Sequence, residues 1–230
     1  MAVRIINCIK HFYDMKKLIP ILFAALLFAS CQKEPKMSEL DNELVVYTSY
    51  DKTAEFGNYM YVYVPDSILL IAESTSEEPV YWTSANASPI IKDFEDHLTA
   101  RGYMLTDDKK EADLGLQISY FQNTSYFAGN SNNWWYNYPG YWNPGYWYPG
   151  GYDWNWYYPY YVPIYSYNVG ALMAELIDIK NITPATEKID VIWNAYMSGL
   201  VSGSDKFDLQ LSLNAVNQAF VQSPYIKATK

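Results

Sequence analysis

The sequence predicts an α+β fold: one mainly antiparallel sheet with two helices packed on one face and a long aromatic insertion rich in proline and glycine. Five segments rich in Val, Ile and Tyr predict strands. Two further segments have apolar residues at helical spacing. Because the helices separate runs of strands, the order is typical of an α+β domain and not of regularly alternating strands and helices.

Two strands and a loop are predicted at the start of the domain. Leu44–Tyr50 and Tyr59–Val64 are rich in Val and Tyr, which favour strands. The residues between them form the predicted turn. Residues 67–86 show no clear period and contain many Ser, Thr, Glu and Pro residues, so we expect a mobile loop there.

The clearest helix is predicted over Ser88–Arg101. Ser88 can cap its N-terminus, and Pro89 suits the first helical position because proline has no N–H to donate. Gly102, directly after the helix, is a favourable C-terminal cap. The apolar stripe of this helix consists of Ile90 or Ile91, Phe94 and Leu98.

The second half of the domain is predicted as three strands and a helix. A charged turn over residues 107–112 precedes a strand at Asp113–Gln122. Gly170–Ile182 and Lys188–Val201 then read as a pair of strands around a turn. Apolar residues at helical spacing predict the closing helix over Lys206–Gln222, which a Ser-Pro pair ends.

The N-terminal region predicts a lipoprotein signal. Lys16 and Lys17 precede an apolar run of 12 residues, Leu18–Ala29. Since a membrane-spanning helix needs about 20 residues, the run fits the apolar core of a secretory signal peptide. Small residues precede Cys31, which is therefore the expected lipid-attachment site. A start at Met15 gives this signal a more typical length.

These features predict how the chain is organised. Residues 1–30 are the signal peptide, residues 31–43 a lipidated tether, and residues 44–226 a single α+β domain in which residues 130–168 form the aromatic insertion. Acyl chains on Cys31 anchor such a protein to a membrane, because each buried CH₂ contributes about 0.8 kcal/mol. We expect a lipid-anchored protein of the outer membrane, on its periplasmic or cell-surface face.

The residues after Cys31 bear on which face is occupied. Gln32, Lys33 and Glu34 form a short polar tract with an acidic residue. It resembles the lipoprotein export signals of Bacteroidetes-type bacteria, which would favour the cell surface. An ordinary hydrophilic tether is the alternative, and the sequence leaves both open.

The charge excludes several classes of partner. Without residues 1–30, which hold four of the 16 basic and one of the 25 acidic residues, the chain has 12 basic and 24 acidic side chains and a net charge of −12. This charge opposes binding to nucleic acid and to anionic lipid head groups. The membrane partner is therefore expected through the lipid anchor and not through a basic surface.

The insertion has an extreme aromatic content. From Trp134 to Tyr167, 18 of 34 residues are Trp or Tyr, and Pro-Gly-Tyr-Trp recurs at a spacing of five residues. Proline and glycine make a regular helix or a central strand unsuitable there. The insertion either packs partly on the sheet or forms a binding surface for a glycan, a peptide or an envelope protein. The candidate binding residues are Trp134, Trp135, Tyr141, Trp142, Tyr146, Trp147, Trp154 and Trp156.

Catalytic patterns are weak throughout the chain. His97 is the only histidine after the signal, and its position beside an apolar helical stripe predicts a helix-surface role. With Cys31 expected to be lipidated, cysteine–histidine catalysis lacks a nucleophile. A zinc site lacks histidines, and the carboxylates of residues 107–113 lack the spacing of a calcium loop. We expect no catalytic residues, no metal and no cofactor.

The domain carries a series of short motifs: residues 50–56 with Tyr59 and Val62–Pro65, Arg101-Gly102-Tyr103, Glu111-Ala112-Asp113-Leu114, Gly170-Ala171-Leu172, Leu176-Ile177-Asp178 and Val191-Ile192-Trp193. In this order they resemble the motifs of the lipoprotein family known as domain of unknown function 4136. The resemblance covers about residues 45–225 and implies a small α+β lipoprotein of the cell envelope. It implies neither a known activity nor known catalytic residues.

Overall fold

Over the residues that it describes, the computed structural model is an α+β domain with a mixed sheet of eight strands and three helices. It describes residues 44–72, 78–122, 144–151, 154–159, 170–182, 184–185, 187–202 and 206–229. The fold class expected from the sequence is thus confirmed at the level of an α+β domain with a mostly antiparallel sheet. The predicted signal peptide, tether and Cys31 lie outside the described residues.

The elements follow one another along the chain in an order close to the predicted one. The helices are α1 (Ala87–Ala100), α2 (Pro144–Trp147) and α3 (Leu209–Gln222). The strands are β1 (Val45–Tyr50), β2 (Tyr61–Tyr63), β3 (Leu69–Ile71), β4 (Met104–Leu105), β5 (Leu114–Phe121), β6 (Asn155–Tyr157), β7 (Ala171–Asp178), β8 (Lys188–Ser198), β9 (Val201–Ser202) and β10 (Lys206–Phe207).

Four long antiparallel strands form the centre of the sheet, in the order β1-β8-β7-β5. Short strands extend both sides by parallel pairing. On one side, β2 and β3 pair with successive parts of β5, and β4 pairs with β2. On the other side, β6 pairs with the start of β8 while β1 pairs with the rest of it. A separate two-residue ladder joins β9 to β10.

Every residue of β5 and β7 is buried, so both faces of the sheet are covered. Leu114, Leu116 and Ile118 of β5 point to the face that carries α1 and α3. The residues between them point to the opposite face, which we call the second face. The two faces are therefore covered by different parts of the chain.

The two long helices pack on the first face and against each other. Phe94 of α1 meets Phe220 of α3 edge to face, with ring centroids 5.9 Å apart. Beneath them, Trp193 of β8 is fully buried and donates its indole N–H to Ser223 at 2.9 Å. Arg101 closes the end of α1, donating to the carbonyl of Phe220 at 2.9 Å. No helix in the described ranges has the length and apolar character needed to cross a membrane.

The structure corrects the expectation of a loop over residues 67–86. Within that range β3 pairs in parallel with β5, and Leu69 also bridges Tyr81. Ile68, Leu69 and Ile71 are fully buried. Residues 68–71 form a short apolar run, the signal for a buried strand, which the surrounding polar residues obscure.

The helix boundaries also differ from those expected. Helix α1 begins at Ala87, one residue before the expected cap, and Asn86 occupies the cap position without a side-chain hydrogen bond. Helix α3 begins at Leu209 rather than Lys206, because the side chain of Asp208 accepts a hydrogen bond from the N–H of Leu211 at 3.1 Å. An aspartate cap of this kind sets a helix start more firmly than propensity does.

Asp113 joins three parts of the sheet edge just before β5. One carboxylate oxygen accepts from the backbone N–H groups of Met60 and Tyr61, at 2.6 and 3.1 Å, and the other lies 3.2 Å from Lys180 Nζ. Burial alone would raise the pKa of Asp113, but the two N–H groups and the ammonium group hold it below its usual range. The ionised form therefore stabilises the folded state.

We expect Asp113→Asn to lower the free energy of unfolding by about 2 kcal/mol at neutral pH, since hydrogen bonds to a charged group are lost. Because the folded pKa is depressed, this contribution is complete above the unfolded value of about 3.9 and is lost as the pH falls through the folded pKa. Urea unfolding at several pH values measures it.

The matched control is Asp107→Asn, which removes an exposed carboxylate from the same turn. Its effect should stay within about 0.5 kcal/mol. An Asp113→Asn protein that is equally destabilised in acid and at neutral pH would contradict the role given to the charge.

Candidate functional site: the aromatic cover and its cleft

Part of the predicted aromatic insertion packs on the second face of the sheet. We call residues 144–151 and 154–159 the aromatic cover. Trp147 is its anchor: only 2% of this residue is exposed, and it lies in a buried cluster with Phe121, Met173 and Tyr196 of the sheet. Tyr146, Tyr148, Trp154 and Trp156 pack around that cluster and are partly buried.

The cover contains a helical turn that the sequence argument excluded, and a short strand that it did not exclude. Pro144–Trp147 form a single helical turn, and Asn155–Tyr157 form strand β6 beside β8. The expectation of no regular helix was therefore wrong for this turn. Proline favours the first position of a helix, and burial of Trp147 stabilises a turn that is too short to persist alone.

Trp147 can approach the sheet closely because β5 has a glycine beneath it. A Cβ atom at Gly115 would overlap the indole ring of Trp147. Because β5 has no side chain at this position, the indole ring packs directly against its backbone. In this position, the indole N–H lies beside Gln117, the next residue of β5 that points to the second face.

A buried chain of hydrogen bonds then ties the cover to the sheet. The indole N–H of Trp147 donates to Gln117 Oε1 at 3.1 Å, and Gln117 Nε2 donates to Glu175 Oε2 at 3.2 Å. The hydroxyl of Tyr158, also in the cover, donates to the other oxygen of Glu175. Gln117 and Glu175 are 0% and 1% exposed, so both depend on these bonds rather than on water.

These polar residues belong to a row that crosses four strands in register. Gln117 of β5 is opposite Glu175 of β7, which is opposite Asn194 of β8, which is opposite Ser49 of β1. Asn194 Oδ1 is buried and has no hydrogen-bond partner among the described residues. Sequence reasoning missed this row, although a Gln, a Glu and an Asn inside otherwise apolar strands are the signal that could have found it.

We expect Glu175→Gln to destabilise the protein although it preserves shape. A glutamine at position 175 can still accept from Gln117 Nε2, but its NH₂ group then faces the hydroxyl of Tyr158, which loses its charged acceptor. A hydrogen bond to a charged group contributes about 1.5–3 kcal/mol. Urea unfolding gives the loss, and a red shift of tryptophan emission reports loosening of the cover.

Glu95→Gln on α1 is the control, since that residue is half-exposed and the chemical change is the same. It should change the free energy of unfolding by less than about 0.5 kcal/mol. If Glu175→Gln is as stable as the Glu95→Gln protein, the buried chain does not hold the cover.

A cleft of about 860 Å³ lies between the cover and the charged turn at residues 107–113. Residues 145–149 form one wall and the turn forms the other, with Tyr63, Ile179 and Lys180 completing the lining. Binding sites for small ligands commonly have volumes of about 300–1,000 Å³. The cleft is thus large enough to hold a ligand.

Lys109 connects the two walls of the cleft. Its ammonium group donates to the carbonyl oxygen of Tyr146 at 2.7 Å and lies 3.6 Å from the centroid of the Tyr146 ring. That carbonyl is at the C-terminal end of α2, where a cation is favourable. Burial lowers the pKa of Lys109. The hydroxyl of Tyr146 lies 3.4 Å from that of Tyr63, and burial is the main cause of its raised pKa.

Charged groups of both signs line the cleft in nearly equal number. In the part of the lining that the structure describes, four carboxylates accompany three ammonium groups. Lys109 and Lys180 already have partners within the protein, because Lys180 pairs with Asp113 and donates to the carbonyl of Asn58 at 2.8 Å. The exposed carboxylates are those of Asp107, Asp108 and Glu111, and the exposed cations are Lys110 and the paired Lys180.

The predicted binding residues are distributed unevenly. Tyr146 and Trp147 line the cleft, although Trp147 is almost fully buried. Trp154 stacks on Tyr148 with centroids 4.7 Å apart, and Trp156 lies in β6. Trp134, Trp135, Tyr141 and Trp142, like Cys31, lie outside the described residues.

His97 lies on α1, away from the residues that line the cleft. Its ring stacks on Phe220 with centroids 4.6 Å apart, and Nε2 lies 3.9 Å from Asp93. Burial lowers the pKa of His97 and favours the neutral ring. In the part of the chain that the structure describes, no group of three or more His, Cys, Asp or Glu side chains is arranged to hold a metal ion.

The fold and the cleft together define a class of protein: a small α+β domain whose sheet has helices on one face and an aromatic segment on the other. The chain belongs to the family described as Domain of unknown function (DUF4136), whose model matches residues 46–225. The match confirms the resemblance found in the sequence motifs. No curated protein matches the chain.

A solved structure of a member of this family agrees with the assignment. The crystal structure of a DUF4136 family protein from Bacteroides thetaiotaomicron VPI-5482 is 40% identical with a TM-score of 0.71, covering 81% of this chain and 98% of that one. A dodecamer of a PelC point variant from Paraburkholderia phytofirmans is 14% identical over 79% and 97% of the two chains, with a TM-score of 0.38. A second PelC dodecamer from the same organism is 15% identical over 81% and 99% of the two chains, with a TM-score of 0.35. Nothing about PelC is inferred for this chain from these two similarities.

Proposed function

We propose that this chain is a non-catalytic lipoprotein of the cell envelope that binds an envelope component in the cleft beside its aromatic cover. The partner is a glycan or a peptide presented in the envelope. The net charge of −12 that remains without residues 1–30, where 12 basic face 24 acidic residues, disfavours nucleic acid.

The cleft is the observation that carries this proposal. It joins aromatic side chains to exposed polar ones, the combination found where small ligands bind. Tyr148 is held against Trp154, and Tyr146 is held by Lys109, so both rings are fixed before a ligand arrives. Rigid aromatic side chains lose little conformational entropy on binding, which favours affinity.

The arrangement of titratable groups favours binding over catalysis. His97 is engaged in the packing of α1 against α3 and does not line the cleft. Among the described residues of the cleft, the titratable groups are carboxylates, ammonium groups and tyrosines. Glu175, the carboxylate buried beneath the cover, accepts hydrogen bonds from Gln117 and Tyr158.

The anchor proposal rests on the sequence. Two lysines, a 12-residue apolar run and small residues precede Cys31 in the order of a lipoprotein signal. We assign the protein to the outer membrane, held by acyl chains on Cys31. Two or more chains are needed for stable anchoring. The polar residues that follow supply the tether between membrane and domain.

We expect Cys31→Ser to abolish labelling by a palmitate analogue in cells and to move the protein from the membrane fraction to the soluble fraction. Cys8→Ser is the matched control because Cys8 precedes the apolar run, and it should leave labelling unchanged. A Cys31→Ser protein that still carries the label would refute the anchor.

A photo-crosslinking amino acid at position 108 tests the cleft in intact cells. Asp108 is exposed on the rim of the cleft. We expect irradiation to give a defined adduct at this position and none at position 221, since Val221 is 60% exposed on α3 and does not line the cleft. Equal adducts at both positions, or none at either, would contradict binding at the cleft.

A further inference from the structure

We infer that the ligand of the cleft is a neutral oligosaccharide, an inference that rests on the proposed binding function. The feature that points to it is the pairing of half-buried tyrosine rings with rim groups of both charge signs. Each element of that pairing selects for a different property of the ligand.

The rings select for a ligand with flat apolar surfaces and polar edges. Tyr63, Tyr146 and Tyr148 are half-buried in the cleft lining. A sugar ring has C–H groups on its faces and hydroxyl groups around its edge, so it matches an aromatic side chain that has an apolar face and a polar tip. Trp147 completes the apolar floor beneath them.

The charges select for a ligand without net charge. Among the described lining residues are four carboxylates and three ammonium groups, so their summed charge is close to zero. An anionic ligand meets Asp107, Asp108 and Glu111 on the rim, and a cationic ligand meets Lys110. A hydroxyl group both donates and accepts, so a polyol can satisfy carboxylate and ammonium groups together.

The backbone around the cleft disfavours a peptide. An extended peptide commonly adds a strand to a free sheet edge. The strand that contributes a lining residue, β2, is paired with β5 on one side and with β4 on the other. The walls are a turn and a single helical turn, which offer no free ladder.

Isothermal titration of the detergent-extracted lipoprotein tests the inference. The probes are the neutral hexasaccharides of glucose, mannose and xylose, the anionic hexagalacturonate, the cationic hexaglucosamine and an uncharged Gly-Ser-Thr nonapeptide. Concentrations up to about 10 mM detect binding with a Kd as weak as ~1 mM. At least one neutral sugar should bind with a stoichiometry of one.

The double variant Asp107→Ala, Glu111→Ala should weaken that binding by tenfold or more, as expected when charged hydrogen bonds are lost. Both residues are exposed, so the fold should persist. The double variant Glu95→Ala, Asp96→Ala on α1 makes the same change in charge away from the cleft and should leave affinity unchanged.

Other outcomes overturn the inference in distinguishable ways. If only the charged sugars or the peptide bind, and the cleft variant weakens them, the ligand class is wrong while the proposed binding function stands. If a neutral sugar binds equally to wild type and to the cleft variant, the site lies elsewhere. If no probe binds, the inference fails, and the photo-crosslink at position 108 decides separately whether the cleft binds any envelope component.

Discussion

The structure depends on the contact between Trp147 and the bare backbone of Gly115. Because Gly115 has no side chain, the indole ring packs directly against β5 and its N–H donates a hydrogen bond to Gln117. The Gln117 amide is thereby oriented so that its NH₂ group needs a hydrogen-bond acceptor at position 175, which Glu175 provides. One close approach therefore positions the cover, and the cover in turn forms one wall of the cleft. The cleft is a consequence of how the sheet is covered.

The two faces of the sheet are covered by different means. The first face carries two amphipathic helices, and burial of Phe94, Trp193 and Phe220 is its main stabilisation. The hydrogen bonds that Trp193 and Arg101 donate lie at the ends of these helices. The second face carries a short aromatic segment above a polar row, so its packing is directed by hydrogen bonds. A directed contact specifies one arrangement of the cover, where apolar packing alone would permit several. That specificity is what a preformed cleft requires.

Periodicity predicted the helical face of the fold and could not predict the other face. The stripe of Phe94 and Leu98, and the Val- and Tyr-rich strands, are local signals that survive in the structure. Strand β3 was missed because four residues carry too little period to outweigh their polar surroundings. The cleft was missed for a different reason. Its walls, residues 107–113 and 145–149, come together because Trp147 packs against Gly115. A contact between residues so distant in sequence does not affect the local spacing of apolar residues.

Under the proposed function, the packing and binding interpretations of the aromatic insertion apply to different side chains of the same segment. Trp147 is directed into the core, while its neighbours Tyr146 and Tyr148 are half-buried at the cleft. Tyrosine and tryptophan suit both positions because each combines an apolar ring with a polar atom. A segment of aliphatic residues could cover the sheet equally well, but it could not reach Gln117 and Glu175 with hydrogen-bond donors. The aromatic composition is therefore required by the polar row beneath the cover as well as by the cleft beside it.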